Sequence, residues 1–269
     1  MNENMNTPTT GTTRNGVPYL VIPAVSPDAP VIVTWHLLDP PRTEVAMASA
    51  IPLKGLDATK IYLGLPMSGS RAEGGFENTI MPLLAQDAPA LVHGPIFTQA
   101  VAEFPAAFAE LRETFGVAPD AAVGLVGGSM GSAVVAGVLA EGTSGARAAV
   151  LLSPMMQLRP VIDTMAPMFG GYTWSDEGAE FAARMDFIAR ADEVKAAGAD
   201  IRIISGADDD PDAFLKVAER FASEVGADYH VMDGVGHALA EEPGVESAPQ
   251  TPGAAEEDAL AVEWLREHL

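Results

Sequence analysis

Ser129 stands between glycines at 127 and 131, after the apolar run AAVGLVG (121–127) and before the helix-like MGSAVVAGVLAEG (130–142). Gly, Ser and Gly contribute little to a core at such a junction. A strand, then Gly-x-Ser-x-Gly, then a helix makes a sharp turn that lifts a hydroxyl into position as a nucleophile. The spacing has physical causes. The serine takes a strained backbone conformation, and glycines two residues to either side let strand and helix pass without Cβ clashes. At a helix N-terminus, free N–H groups and the helix dipole favour a developing oxyanion. Other Gly-rich turns fit less well. A phosphate-binding Walker loop needs Gly-Lys-Ser/Thr, which is absent, and a dinucleotide fingerprint needs three glycines at its own spacing near the start of a fold.

The elements that must hold this turn alternate along the chain. Residues 17–24 and 30–37 read as strands rich in β-branched and aromatic side chains. Residues 42–55 read as a helix with an N-cap threonine and a stopping glycine, and 59–66 as another strand. A Gly-rich loop spans 66–75. Residues 97–116 form a long amphipathic helix that Pro105 should kink or start. Beyond the serine, strands at 146–154, 199–206 and 227–234 are interleaved with helices at 212–226 and 254–269. Near-continuous apolar strands separated by helices predict an α/β fold, a mostly parallel central sheet with helices on both faces. Residues 1–16 are polar and predict a flexible tail, leaving one domain over 17–269. Residues 154–190 break the alternation and predict a small cap, or lid, over the site.

From residue 17 to the end, the element order and the Gly127-Gly128-Ser129-Met130-Gly131 motif resemble the α/β-hydrolase fold family. The resemblance implies a Ser, Asp/Glu, His chain order, with the acid after a late strand and the histidine after the last one. After DIRIISG the implied acid is Asp209, with Asp208 and Asp210 as alternatives one residue away. A calcium-loop reading of Asp208, Asp210, Asp212 and Glu219 fails, because Ala213 stands where that loop needs glycine. The implied base is His237, which would take the Ser129 proton while the aspartate fixes its tautomer. The other histidines have plainer settings: His93 in a loop before the long helix, His230 within the last strand, His268 at the C-terminus.

The resemblance also implies an oxyanion hole of two backbone N–H groups. One belongs to Met130; the other belongs to the loop His36-Leu37-Leu38-Asp39-Pro40-Pro41, at Leu38 with Leu37 as alternative. Relatives often carry glycine there, and this chain does not. His36 ties down that loop and is a candidate pocket residue. The 154–190 segment holds five of the twelve methionines. Of these, Met155, Met156, Met165 and Met168 are candidates for an adaptable apolar acyl or alcohol pocket, or else core filler. Arg159 reads as a surface ion pair, with a carboxylate partner in that pocket as the alternative.

Thirty-seven Asp and Glu against 15 Lys and Arg, a net charge of −22, repel nucleic acid and anionic membranes. No apolar run reaches the roughly 18–20 residues of a membrane helix, and the start resembles no export signal, which points to a cytoplasmic protein. With no cysteine, thiolate nucleophiles, disulfides and thiolate metal sites are excluded. The expectation is a serine hydrolase acting on a small or medium apolar ester or thioester, with no cofactor or metal. Its partner is that small molecule, with neither nucleic acid nor membrane. The alternative is a non-catalytic or non-hydrolytic protein of the same fold that binds a small apolar ligand.

Overall fold

A computed structural model describes residues 7–269. Within those residues, eight strands form one sheet: β1 (Thr9–Thr12), β2 (Pro18–Ile22), β3 (Val31–Trp35), β4 (Thr59–Leu63), β5 (Val123–Gly128), β6 (Ala148–Leu152), β7 (Asp200–Gly206) and β8 (Asp228–Met232). Their spatial order is β1-β2-β4-β3-β5-β6-β7-β8. β2 lies antiparallel to β1 and β4, and every pair from β4 across to β8 is parallel. Among the described residues, nine α-helices connect or cover them: α1 (Glu44–Ala50), α2 (Met81–Ala88), α3 (Gly94–Thr114), α4 (Met130–Ala140), α5 (Leu158–Met165), α6 (Asp176–Arg184), α7 (Ala191–Ala196), α8 (Lys216–Val225) and α9 (Pro252–His268). This is the expected mostly parallel α/β sheet covered on both faces.

The central strands are buried on both sides, which explains why they read as unbroken apolar runs. On one face, Val31, Val33, Trp35 and Leu125 pack with Phe97, Phe104 and Phe108 of α3 and the apolar residues of α4. On the other, Ile32, Val126 and Val150 pack with Met47 of α1 and Ala261, Val262 and Leu265 of α9. α4 is buried from Met130 to Leu139, so it is the central helix behind the serine turn. Among the described residues, no helix is long and apolar enough to cross a membrane.

Three local expectations change. The polar start was expected to be a flexible tail through residue 16, yet Thr9–Thr12 pair with β2 as an edge strand. The reason is side-chain fit: these threonines are β-branched, and Gly11 is bare enough for the Tyr19 ring to lie across it. Residues 1–6 lie outside the described residues. Pro105 neither starts nor ends its helix. α3 runs through it from Gly94, because the stripe Phe97, Ala100, Phe104, Ala107, Phe108 and Leu111 is buried along one face while Pro105 faces solvent. Finally, 76–93 is helical. A π turn (Phe76–Ile80), α2 and a second π turn (Pro89–His93) lead directly into α3.

The segment between β6 and β7 holds α5, a 3₁₀ turn (Ala166–Phe169), α6 and α7. It is fastened to 76–93. Asp87 accepts hydrogen bonds from the Tyr172 hydroxyl at 2.7 Å and the Ser175 hydroxyl at 2.9 Å. The Phe181 ring of α6 lies flat on Gly94, where an added Cβ would come within 2.2 Å of the ring. Two stretches distant in sequence thus enclose one space above the carboxyl ends of the strands.

Candidate active site

Ser129 is the residue between β5 and α4, with φ 45° and ψ −109°. That is left-handed backbone on a side chain that disfavours it, a strained turn held by its surroundings. Two glycines make it possible. A Cβ on Gly127 would stand 2.3 Å from the Gly131 carbonyl oxygen, and one on Gly131 would stand 2.5 Å from the Trp35 carbonyl oxygen. The backbone is pinned by the Ser129 N–H, which donates to the Leu152 carbonyl at 2.9 Å. The hydroxyl therefore stands at the carboxyl edge of the sheet.

The candidate base and acid arrive on the loops after β8 and β7. Gly206 lets those loops touch, since a Cβ there would meet the Val235 carbonyl oxygen at 2.1 Å. The Asp208 and Ala207 N–H groups donate to Val235 and Met232 carbonyls across the gap. His237 Nε2 lies 2.8 Å from Ser129 Oγ, and its Nδ1 lies 2.7 Å from Asp209 Oδ2. With Nδ1–H donating to the carboxylate, Nε2 presents its lone pair to the hydroxyl. The other Asp209 oxygen accepts the Asp210 N–H at 2.7 Å, and its side chain is only 3 % exposed. Phe214 lies against the imidazole with ring centroids 4.1 Å apart.

Of the three candidate acids, the carboxylate that meets His237 belongs to Asp209. Asp208 is exposed. Asp210 accepts from the Asp212 and Ala213 N–H groups, capping the turn that opens α8.

The loop after β3 sorts its two amides. The Leu37 N–H donates to the Pro41 carbonyl at 3.2 Å. The Leu38 and Met130 N–H groups have no protein acceptor among the described residues. Leu38 and Met130 both line the cavity at Ser129. The loop is braced by Arg42, whose Nε–H donates to the Leu38 carbonyl and whose guanidinium grips Glu242 through both carboxylate oxygens. Residues 242–245 are thereby tied to that loop: the Arg42 N–H and the Thr43 hydroxyl also donate to the Gly244 and Val245 carbonyls.

The cavity encloses about 470 Å³. Met155, Met165 and Met168 line it, together with Val161, Phe169 and Phe214. Met156 and His36, also candidates for the pocket, do not. Met156 is fully buried in the core cluster and does not line the cavity. His36 is fully buried. Its Nε2 accepts the Leu65 N–H at 3.0 Å, so Nδ1–H donates to the Leu37 carbonyl at 2.6 Å, and burial drives its pKa down to about 4. It is a neutral tie between the β3 and β4 loops. Among the described residues Arg159 makes no ion pair; its guanidinium stacks 4.0 Å over the Trp174 ring.

Other lining residues carried no sequence signal. His93, expected in a loop, is buried in the Pro89–His93 turn, and Asp39 Oδ2 lies 3.7 Å from His237 Nε2. Prolines at 82 and 89 masked the helical spacing of Phe76, Ile80, Leu84, Ala88 and Val92, which would have placed this wall.

No family model matches the chain, and no curated protein matches it in sequence. Solved structures do. A protein from Thermus thermophilus superposes with TM-score 0.67 at 16 % identity, covering 97 % of this chain and 98 % of its own. The dienelactone hydrolase of Anabaena variabilis gives 0.58 at 14 % identity, covering 97 % and 99 %. Dipeptidyl peptidase 4 of Porphyromonas gingivalis gives 0.59 at 12 % identity, covering 98 % of this chain and 35 % of that one. Together with the strand order and the serine turn between β5 and α4, these likenesses identify the chain as having the α/β-hydrolase fold.

Proposed function

We propose that the protein is a serine hydrolase that cleaves small or medium apolar carboxylic esters or thioesters through an acyl-enzyme on Ser129. One observation carries the reading: the unbroken hydrogen-bond chain from Ser129 through His237 to Asp209, opening on an apolar cavity. Among the similar structures, one is described as a dienelactone hydrolase and another as a dipeptidyl peptidase, which supports hydrolysis in general terms.

In this reading Ser129 Oγ attacks the carbonyl carbon as His237 Nε2 takes its proton. Asp209 holds the imidazole with Nδ1–H fixed and balances the imidazolium that forms. The Met130 and Leu38 N–H groups, both free of protein acceptors, receive the oxyanion. The imidazolium returns its proton to the leaving oxygen or sulfur, the acyl–enzyme bond remains, and water attacks it by the same route. Protein groups and water suffice for each step. Residues 154–190 act as the cap, with 76–93 as the facing wall, and their methionine and aromatic side chains accept an acyl chain.

The alternative, a binder with an idle site, drew on the absence of glycine after His36. The free Leu38 N–H weakens it, since a backbone donor is present without glycine. A fluorophosphonate probe separates the two. The expected result is one label per chain, lost in Ser129→Ala, with hydrolysis across a panel of acyl esters and thioesters lost in the same variant. A folded protein that takes no label and turns over nothing in the panel would refute the hydrolase reading.

A further inference from the structure

The polar groups of the cavity outside the Ser129–His237 pair are unevenly matched. Asp39 projects from the loop after β3, with its side chain 56 % exposed, and has no cationic partner among the described residues other than His237. Glu77, on the facing wall, is exposed and enters no hydrogen bond or ion pair there. Arg42 is the cation of the lining, and it is spent. Four of its five N–H groups go to the Leu38 carbonyl, Glu242 and the Pro243 carbonyl, and its face covers Phe76.

His93 provides a second, independent sign. It is buried and lines the same cavity. Its Nδ1–H donates to the Ala88 carbonyl at 3.0 Å, which leaves Nε2 a lone-pair acceptor with no protein donor among the described residues. Burial lowers its pKa, partly offset by that hydrogen bond and by the charge of Asp39, so the ring stays neutral. An acceptor that opens on the cavity without a protein donor is free to take a hydrogen bond from a ligand. Beyond the Leu38 and Met130 amides, which the hydrolase reading sets aside for the oxyanion, the cavity thus offers two carboxylates and one neutral acceptor, with the Thr164 hydroxyl left to donate.

We propose, resting on the hydrolase reading, that the substrate is an ester of an amino alcohol whose protonated amine is received by Asp39. Position decides which half of the ester carries the charge. His237 Nε2 must reach the leaving oxygen to protonate it, so the alcohol portion lies beside that nitrogen. Asp39 Oδ2 is 3.7 Å from the same atom. The ammonium therefore belongs on the alcohol, two or three bonds from the ester oxygen. His93 accepts a further N–H or O–H from the substrate, and Glu77 adds negative potential at the mouth.

The test compares two esters of matching shape: 2-(dimethylamino)ethyl butyrate, protonated at pH 7, and 3-methylbutyl butyrate, which puts a neutral CH in place of the NH⁺. Acid release is followed at constant pH, and the readout is the ratio of kcat/KM for the pair within each protein. The native protein should favour the charged ester, and Asp39→Asn should cut the ratio roughly tenfold, as expected for one charge-assisted hydrogen bond. Asp120→Asn removes an exposed acid preceding β5, at the opposite end of the strands, and should leave the ratio unchanged. A native ratio of one or less, or a ratio that survives Asp39→Asn, overturns the proposal while leaving the hydrolase reading intact. If Ser129 takes the fluorophosphonate label but neither ester is cleaved, the substrate class is wrong. If there is neither label nor cleavage, the hydrolase reading itself has failed.

Discussion

Glu257 sits on α9 with no exposed surface, and neither of its carboxylate oxygens has a hydrogen-bond partner among the described residues. Burial, with a smaller contribution from the charge of Asp209, pushes its pKa from the ordinary 4.5 up to about 8. Between those two values the folded protein holds a proton that the unfolded chain has released. Stability therefore falls with rising pH, by about 1.4 kcal/mol per unit across that window, and levels off above pH 8. Glu257→Gln keeps the shape and removes the titration. Relative to the native protein, the variant should gain about 1 kcal/mol at pH 5, about 3 at pH 7 and about 5 at pH 9. Urea unfolding of both proteins at each pH measures the difference, and titrations common to both cancel. If the two stability curves run parallel from pH 5 to 9, Glu257 is not the buried, uncompensated acid argued from its position.

Asp209→Asn should leave the fold intact and lower kcat roughly 10⁴-fold, because an amide no longer fixes Nδ1–H or balances the imidazolium. Circular dichroism and ester turnover check it together, and equal turnover would remove Asp209 from the relay. Gly131→Ala must push its Cβ away from the Trp35 and His36 carbonyls, at 2.5 and 2.6 Å. It should cost about 1–3 kcal/mol, read as a lower unfolding midpoint. An unchanged midpoint would show that the turn has slack not visible in its geometry.

The sequence determined the features that are local. Alternating apolar strands and amphipathic helices fix a parallel, two-sided sheet, since no other packing buries strands apolar on both faces. Gly127, Ser129 and Gly131 declare the strained turn, because only a strand and helix crossing that closely need bare Cα atoms on both sides. Asp209 and His237 came instead from the resemblance to the α/β-hydrolase fold, through its chain order of serine, acid and histidine.

Tertiary structure decided matters of register and facing. One residue of loop separates Asp208, Asp209 and Asp210, and the choice depends on where β7 ends and which side chain caps α8. Leu37 and Leu38 are chemically alike, and only the Pro41 carbonyl, folding back to take one amide, distinguishes them. Met155 and Met156 are neighbours and both are packed in the core, yet only Met155 also reaches the cavity. The wall carrying His93, and the place of Asp39 beside His237, arise from segments far apart in the chain. No periodicity encodes that meeting, because contacts between distant segments are set by the packing of the whole sheet and its covering helices.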